Sequence, residues 1–234
     1  MRSASRRSAW RASTSIRAES VVIVFARAPL AGRVKTRLIP RLGAAGAAHL
    51  QERLIRAALR TASDWRVELH VTSCHAFFRS LNVRCRLQQG DSLGSRMHHA
   101  LRGALRRYRS AVLIGADCPA LTPADLRRAV RLLQGGTNVV LAPAEDGGYA
   151  LIAARRISLA VFANVAWGSA DVLAHTLANL ERGRLSHRLL RTVWDVDRPE
   201  DLERLRSPRF SSAARRGARR SRDSRGRSDG SGRT

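Results

Sequence analysis

One lysine stands among the 43 basic residues of this 234-residue chain. It is Lys35, in a turn-rich loop that also carries Arg27, Gly32, Arg33, Thr36 and Arg37. Just before the loop run six apolar residues, Val21-Val22-Ile23-Val24-Phe25-Ala26, rich enough in β-branched side chains to form a buried strand. A strand that empties into a Gly-containing cationic loop suits phosphate, because backbone N–H groups and side-chain charge converge on one anion. An arginine-biased composition in which a single lysine survived would read the same way. The loop is not a Walker A motif, since Val34 and Pro29 stand where that motif needs glycine.

Acidic residues answer the cations. Asp117 follows the apolar run Ala111–Gly115 and precedes Cys118-Pro119. A carboxylate at a strand end, braced by proline, can hold Mg²⁺ or Mn²⁺ against phosphate oxygens. It can equally cap the turn into the next helix. Asp195 and Asp197 lie two apart, on one face if the backbone is extended, and either could share a cation with Asp117. Asp197 also precedes Pro199 and could cap a final helix. Glu145-Asp146-Gly147-Gly148-Tyr149 is a polar turn. Its glycines would let backbone approach an acceptor that Asp146 binds or activates, and Asp-Gly is also an ordinary hairpin signal. The candidate catalytic set is therefore Lys35, Asp117 and Asp146. His98-His99 and the other histidines show no metal-ligand spacing.

Alternating elements must position these groups. The pattern predicts strands at 21–26, 66–72, 83–87, 111–115, 139–142, 149–153 and 188–193. Helices are predicted at 43–62, from about 95, from Thr122-Pro123 to Gly135-Gly136, at 169–182 capped by Ser169, and briefly after Pro199. The strand at 149–153 is expected to pair locally. Such alternation gives a three-layer α/β/α sandwich with a mainly parallel central sheet. Ligands in these folds sit at the carboxyl ends of the strands. Residues 27–37, 88–96, 116–119 and 194–197 all fall there.

Composition bounds the rest. The formal charge is +25, which favours anionic partners such as nucleotides, nucleic acid or a membrane surface. Residues 1–19 and 207–234 are Arg-rich with few apolar side chains, so both are expected to be disordered, leaving a folded domain over 20–206. Cys74, Cys85 and Cys118 have no paired spacing and fit a reducing cytoplasm. No apolar run approaches the ~20 residues of a membrane span. The N-terminus has no secretory apolar core; it resembles a transit peptide in composition, though a disordered extension or an early start codon accounts for it better.

Five ordered blocks then carry a resemblance: FARAPLAGRVKTRL, QQGDSLGSRM, GADCPALTPADL, APAEDGGYALIA and DVDRPEDLERL. Over roughly residues 21–206 the chain resembles the DUF2064 family of bacterial GT-A-type transferases, also labelled radical-SAM/selenodomain-associated transferase 1. That family is similar to the nucleotide-diphospho-sugar transferase superfamily, which includes phospholactate guanylyltransferases and molybdenum-cofactor nucleotidyltransferases. The resemblance implies a GT-A, Rossmann-like fold, donor phosphates on the loop from Arg27 to Arg37, and Gly90, Gly94 and Arg96 near the nucleotide. It further implies a divalent metal on Asp117 with Asp197 as second ligand and Asp195 as its substitute. Gly115 stands where a plain DxD motif would place the first aspartate.

The expected function is a cytoplasmic, metal-dependent transfer from a nucleotide-activated donor to a small-molecule acceptor whose identity is unknown. Glycosyl transfer from a nucleotide sugar comes first. Nucleotidyl transfer from an NTP, with pyrophosphate release, is the alternative favoured by the several cations of the first loop. Nucleic-acid binding is the alternative of a different class. It would run only through the basic tails, since aromatics are 5% of the chain and no RNA or DNA module is present.

Overall fold

The computed structural model describes residues 19–206. The Arg-rich stretches expected to be disordered lie outside the described residues, apart from Glu19. Strand β1 (Ser20–Ala26) is buried along its whole length. Its side chains alternate between two cores. Val22, Val24 and Ala26 enter one, and Val21, Ile23 and Phe25 the other. An unbroken apolar run therefore marks a strand covered on both faces.

Around it lie β2 (Arg66–Val71), β3 (Arg84–Leu87), β4 (Ser110–Gly115), β5 (Val139–Pro143), β6 (Tyr149–Ala154) and β7 (His187–Leu189). The seven strands form one sheet in the order β3-β2-β1-β4-β6-β5-β7. Helices α1 (Ile39–Thr61), α2 (Ala76–Arg79) and α4 (Pro123–Gln134) pack on one face, whereas α3 (Leu93–Leu105) and α5 (Val172–Arg182) cover the other. A short α6 (Asp201–Arg206) closes the described chain. This is the expected three-layer sandwich with its GT-A-like, Rossmann-like sheet.

Only β6 runs against its neighbours: it is antiparallel to β4 and β5, while β1–β2, β1–β4, β2–β3 and β5–β7 are parallel. Tyr149–Ala154 thus does more than pair locally with β5. It inserts beside β4, with Ala111 opposite Ala154 and Ile114 opposite Leu151. One consequence matters for chemistry. The carboxyl ends of six strands and the amino end of β6 share one edge of the sheet.

Several boundaries move. The helix expected from Gly43 begins at Ile39, after a 3-10 turn at Thr36–Leu38, and breaks at Gly43 (φ 69°, ψ 165°). Its buried face is Ala47, Leu50, Gln51, Leu54, Ile55 and Ala58. Helix α5 starts at Val172 rather than Ser169, because the Ser169 hydroxyl accepts from the Asp171 N–H (3.2 Å) and closes a turn instead of capping a helix. The last strand stops at Leu189, and the chain rejoins the sheet at a single bridge between Ala144 and Val193. Helices α3 and α4 are capped as their sequences require, by Ser92 and Thr122, each in a reciprocal capping box.

Candidate active site

A cavity of about 620 Å³ opens along that shared edge. Its lining includes residues 25–27 and 34–37 from β1 and its loop, Thr72 after β2, Gln88 after β3, Arg96 and Met97 from α3, and 115–117 after β4. Asp146, Gly148 and Tyr149 at the start of β6, residues 167–169, Asp195 and Asp197 line it as well. Separate strand ends therefore meet in one hollow, as the alternating pattern requires.

Lys35 holds the centre. It adopts the left-handed conformation (φ 48°, ψ 44°) that few side-chain-bearing residues accept. Its side chain is only 7% exposed. The ammonium donates to the Val196 carbonyl (2.6 Å) and to Asp117 Oδ2 (3.4 Å). Thr36 and Arg37 follow on the exposed side of the loop, where Arg37 donates to Asp197 Oδ2.

Segment 194–197 is fastened to the end of β4 by backbone as well. The Val196 N–H donates to the Asp117 carbonyl (2.9 Å), and the Cys118 thiol donates to the Trp194 carbonyl (3.0 Å). Burial, with Asp117 and Asp195 nearby, pushes the Cys118 thiol up to about 12, so it is an anchor and no nucleophile. Behind the segment, Asp201 Oδ2 accepts from the N–H groups of Asp197 and Arg198 (2.9 and 2.7 Å). Asp201 thus holds the backbone that leads into α6, and no hydrogen bond from an α6 N–H to Asp197 is seen among the described residues. Arg204 lies over the Trp194 ring (4.4 Å) and makes a paired contact with Glu145 (2.7 and 2.9 Å).

The carboxylates divide differently from the expected pairing. Asp197, expected as the second ligand beside Asp117, has its carboxylate taken by Arg37. Asp195 lies instead in the field of Asp117 and Asp146. Burial first, then those two negative charges, raise its carboxyl to about 6 against the pull of Lys35. Among the described residues, no group of three or more His, Cys, Asp or Glu side chains is already gathered as a metal cage.

The remaining candidates split. Arg27 and Arg96 line the cavity, whereas Gly32 and Arg33 belong to the exposed outer turn of the loop, beyond the lining. Gly90 and Gly94 act from behind. The Gly90 carbonyl accepts from Arg96 Nε (2.9 Å) and so aims that guanidinium. A Cβ on Gly94 would come within 2.8 Å of both Phe162 and Trp167, so α3 needs glycine to seat the aromatic pair. In the 145–149 turn, Glu145 is committed to Arg204, and Gly147 lies against the Ala170 backbone, where a Cβ would meet an oxygen at 2.1 Å. Asp146 Oδ1 accepts from the Gly148 N–H (2.9 Å), and burial pushes the Tyr149 phenol up. Gln51, Thr72, Trp167 and Ser169 line the cavity but were not among the expected site residues. Trp167-Gly168-Ser169, an aromatic beside turn residues in a linking segment, was a usable signal. Gln51 gave none, being one polar residue in a helical repeat.

The chain belongs to the bacterial family described as uncharacterized protein conserved in bacteria, DUF2064, whose model matches residues 44–169. Its structure is similar to that of a candidate nucleotide-diphospho-sugar transferase from Desulfovibrio desulfuricans G20, with 28% identity and a TM-score of 0.73 over 86% of this chain and 96% of that one. Two more distant structures share the fold. CMP:2-keto-3-deoxy-manno-octonic acid synthetase, solved with CTP, has 14% identity and a TM-score of 0.54 over 80% of this chain and 97% of that one. The 4-diphosphocytidyl-2C-methyl-D-erythritol synthase of Anaerococcus prevotii DSM 20548 has 8% identity and a TM-score of 0.50 over 80% and 95%. None of the curated proteins matches the sequence.

Proposed function

We propose that the protein is a nucleotide-dependent transferase that moves a glycosyl group from a nucleotide sugar to a small hydroxylated acceptor. One observation carries the proposal: a cationic loop and a group of carboxylates face a single cavity at the carboxyl edge, with Lys35 bonded between them. Similarity to the Desulfovibrio protein supports the same donor class. Lys35, Arg37 and the Thr36 hydroxyl bind the donor's diphosphate. The acceptor oxygen bonds to the sugar carbon as the carbon–phosphate-oxygen bond breaks. The acceptor's proton passes to Asp146, and a nucleoside diphosphate leaves.

Four aspartates line the cavity, Asp117, Asp146, Asp195 and Asp197, and their carboxylate oxygens are the donor type a divalent cation takes. Crowding of Asp195 by Asp117 and Asp146 is an excess of negative charge that Mg²⁺ or Mn²⁺ would relieve. Asp117 and Asp195 would hold it, and Asp197 would join only by giving up Arg37. When bound, the ion would neutralise donor phosphates and the charge building on the leaving group.

Nucleotidyl transfer is the second reading. It is favoured by the four residues Arg27, Lys35, Thr36 and Arg37 on one wall, enough for a triphosphate. The products separate the two: a nucleoside diphosphate for glycosyl transfer, pyrophosphate for nucleotidyl transfer. The binding test is nucleotide-dependent Mn²⁺ uptake, measured by calorimetry. Asp117→Asn and Asp195→Asn should each lose most of it, and the double variant little more, because ligands of one ion act together. Asp197→Asn should keep it. Wild-type uptake in Asp117→Asn would reduce that aspartate to a turn residue.

A further inference from the structure

The cavity is sorted by charge along the sheet. Its middle, after β1, carries Lys35 and Arg37. Toward β4 and β6 it carries Asp117, Asp146 and Asp195, with Trp167 and Ser169. Toward β2 and β3 it carries Thr72, Gln88 and, from α1, Gln51, which are polar but uncharged, with the Arg96 guanidinium beside them. A nucleotide donor has a related order: a charged diphosphate between a reacting group and a base whose edge offers hydrogen-bonding groups.

Gln51 is the telling residue at the β2–β3 end. It is 3% exposed, on the buried face of α1. Its Nε2 donates to the Arg27 carbonyl at 3.3 Å, and its Oε1 is buried with no hydrogen-bond partner. Turning the amide over would bring Oε1 against the Arg27 carbonyl, two acceptors facing each other. The amide therefore stands one way round, with an unused acceptor on a residue that lines the cavity. Its neighbours are tied in place too: Gln88 Nε2 donates to the His70 carbonyl (3.0 Å), and Thr72 Oγ1 accepts from the Ala28 N–H (3.3 Å), which leaves the Thr72 hydroxyl hydrogen for a ligand. A buried carbonyl oxygen without a donor is costly, and a ligand that supplies one recovers that cost.

We propose that Gln51 reads the nucleoside of the donor, with Oε1 accepting a hydrogen bond from an N–H on the edge of the base, and that Thr72 and Gln88 complete this end. The assignment rests on the donor class proposed above, and it adds the place and the polarity of base recognition. Because the oxygen is fixed, a base offering only an acceptor there is rejected.

Calorimetry on the full chain with Mg²⁺ tests it, using ADP, CDP, GDP and UDP, and inorganic pyrophosphate as the probe that lacks a base. Gln51→Leu and the unbranched Gln51→Met should weaken the best-bound nucleoside diphosphate about 3- to 10-fold, the worth of one neutral hydrogen bond. Pyrophosphate affinity should stay unchanged. An equal loss for pyrophosphate in both variants would mean that Gln51 only braces the Arg27 loop. Unchanged nucleotide affinity would place the base elsewhere. If the wild type binds pyrophosphate but none of the four nucleotides, the donor class itself falls, and base reading with it.

Discussion

Lys35 and Glu68 show two ways a single buried charge is kept. Lys35 is held by one carbonyl and one carboxylate at the edge of a cavity, so its charge stays within reach of a ligand. Glu68, on β2, is sealed: its side chain is 5% exposed and touches Arg107 (2.7 Å), Arg86 (3.2 Å) and His70 (3.3 Å). Burial acts to raise its pKa, but Arg107, His70 and Arg86 together outweigh burial and bring it down to about 2. A depressed carboxyl contributes stability above its unfolded value, near 4.5, and loses it as the pH falls toward 2. Burial keeps His70 from charging until lower pH, despite the opposing pull of Glu68. Glu68→Gln should therefore be less stable at pH 7 by about 1–3 kcal/mol, since two guanidinium groups lose their carboxylate partner and face an amide that carries its own N–H donors. It should also show a flatter decline between pH 4.5 and 2. Urea titrations of both proteins across that range give the comparison, and parallel declines would remove Glu68 from the acid response.

At the scale of elements, packing is tightest where α3 begins. Its first turn lies under Phe162 and Trp167, and Trp167 also lines the cavity. Gly94→Ala should cost about 1–3 kcal/mol by forcing that contact apart. Donor or acceptor affinity should fall with it, because Trp167 must move. Thermal unfolding and ligand calorimetry on the same variant check both halves. Little of this contact could be read in advance, as it joins residues far apart in sequence that carry no shared pattern. Strand and helix order was legible because each element writes its own period, in the alternation along β1 and in the Thr122-Pro123 start of α4. The insertion of β6 between β4 and β5 was not legible, because a short apolar run does not announce its partners. That Asp117, Asp146 and Lys35 line one cavity was legible because strand ends converge in this fold class. The Arg37–Asp197 pair was missed because either side chain alone looked like a ligand for something else.

For the whole molecule, the described residues build two cores, from Val21 to Val196. A chain trimmed to residues 19–206 should accordingly unfold in one cooperative transition and keep its nucleotide affinity. Circular dichroism melts and calorimetry on the trimmed and full chains decide this. Loss of soluble folded protein would mean that the domain limits are wrong. Loss of nucleotide binding alone would give the Arg-rich ends a part in recognition. No described helix is long and apolar enough to cross a membrane.

The bond from Lys35 to the Val196 carbonyl spans 161 positions of sequence. Closing so long a loop costs more than closing a short one, so this contact is expected to form late, after the local elements have ordered. A ligand that needs Lys35 in place must then act on the folded population as a whole. At a hundredfold excess over its Kd it adds about 2.7 kcal/mol to global stability. Slow-exchanging amides throughout the sheet, not only those at the cavity, would become more protected together.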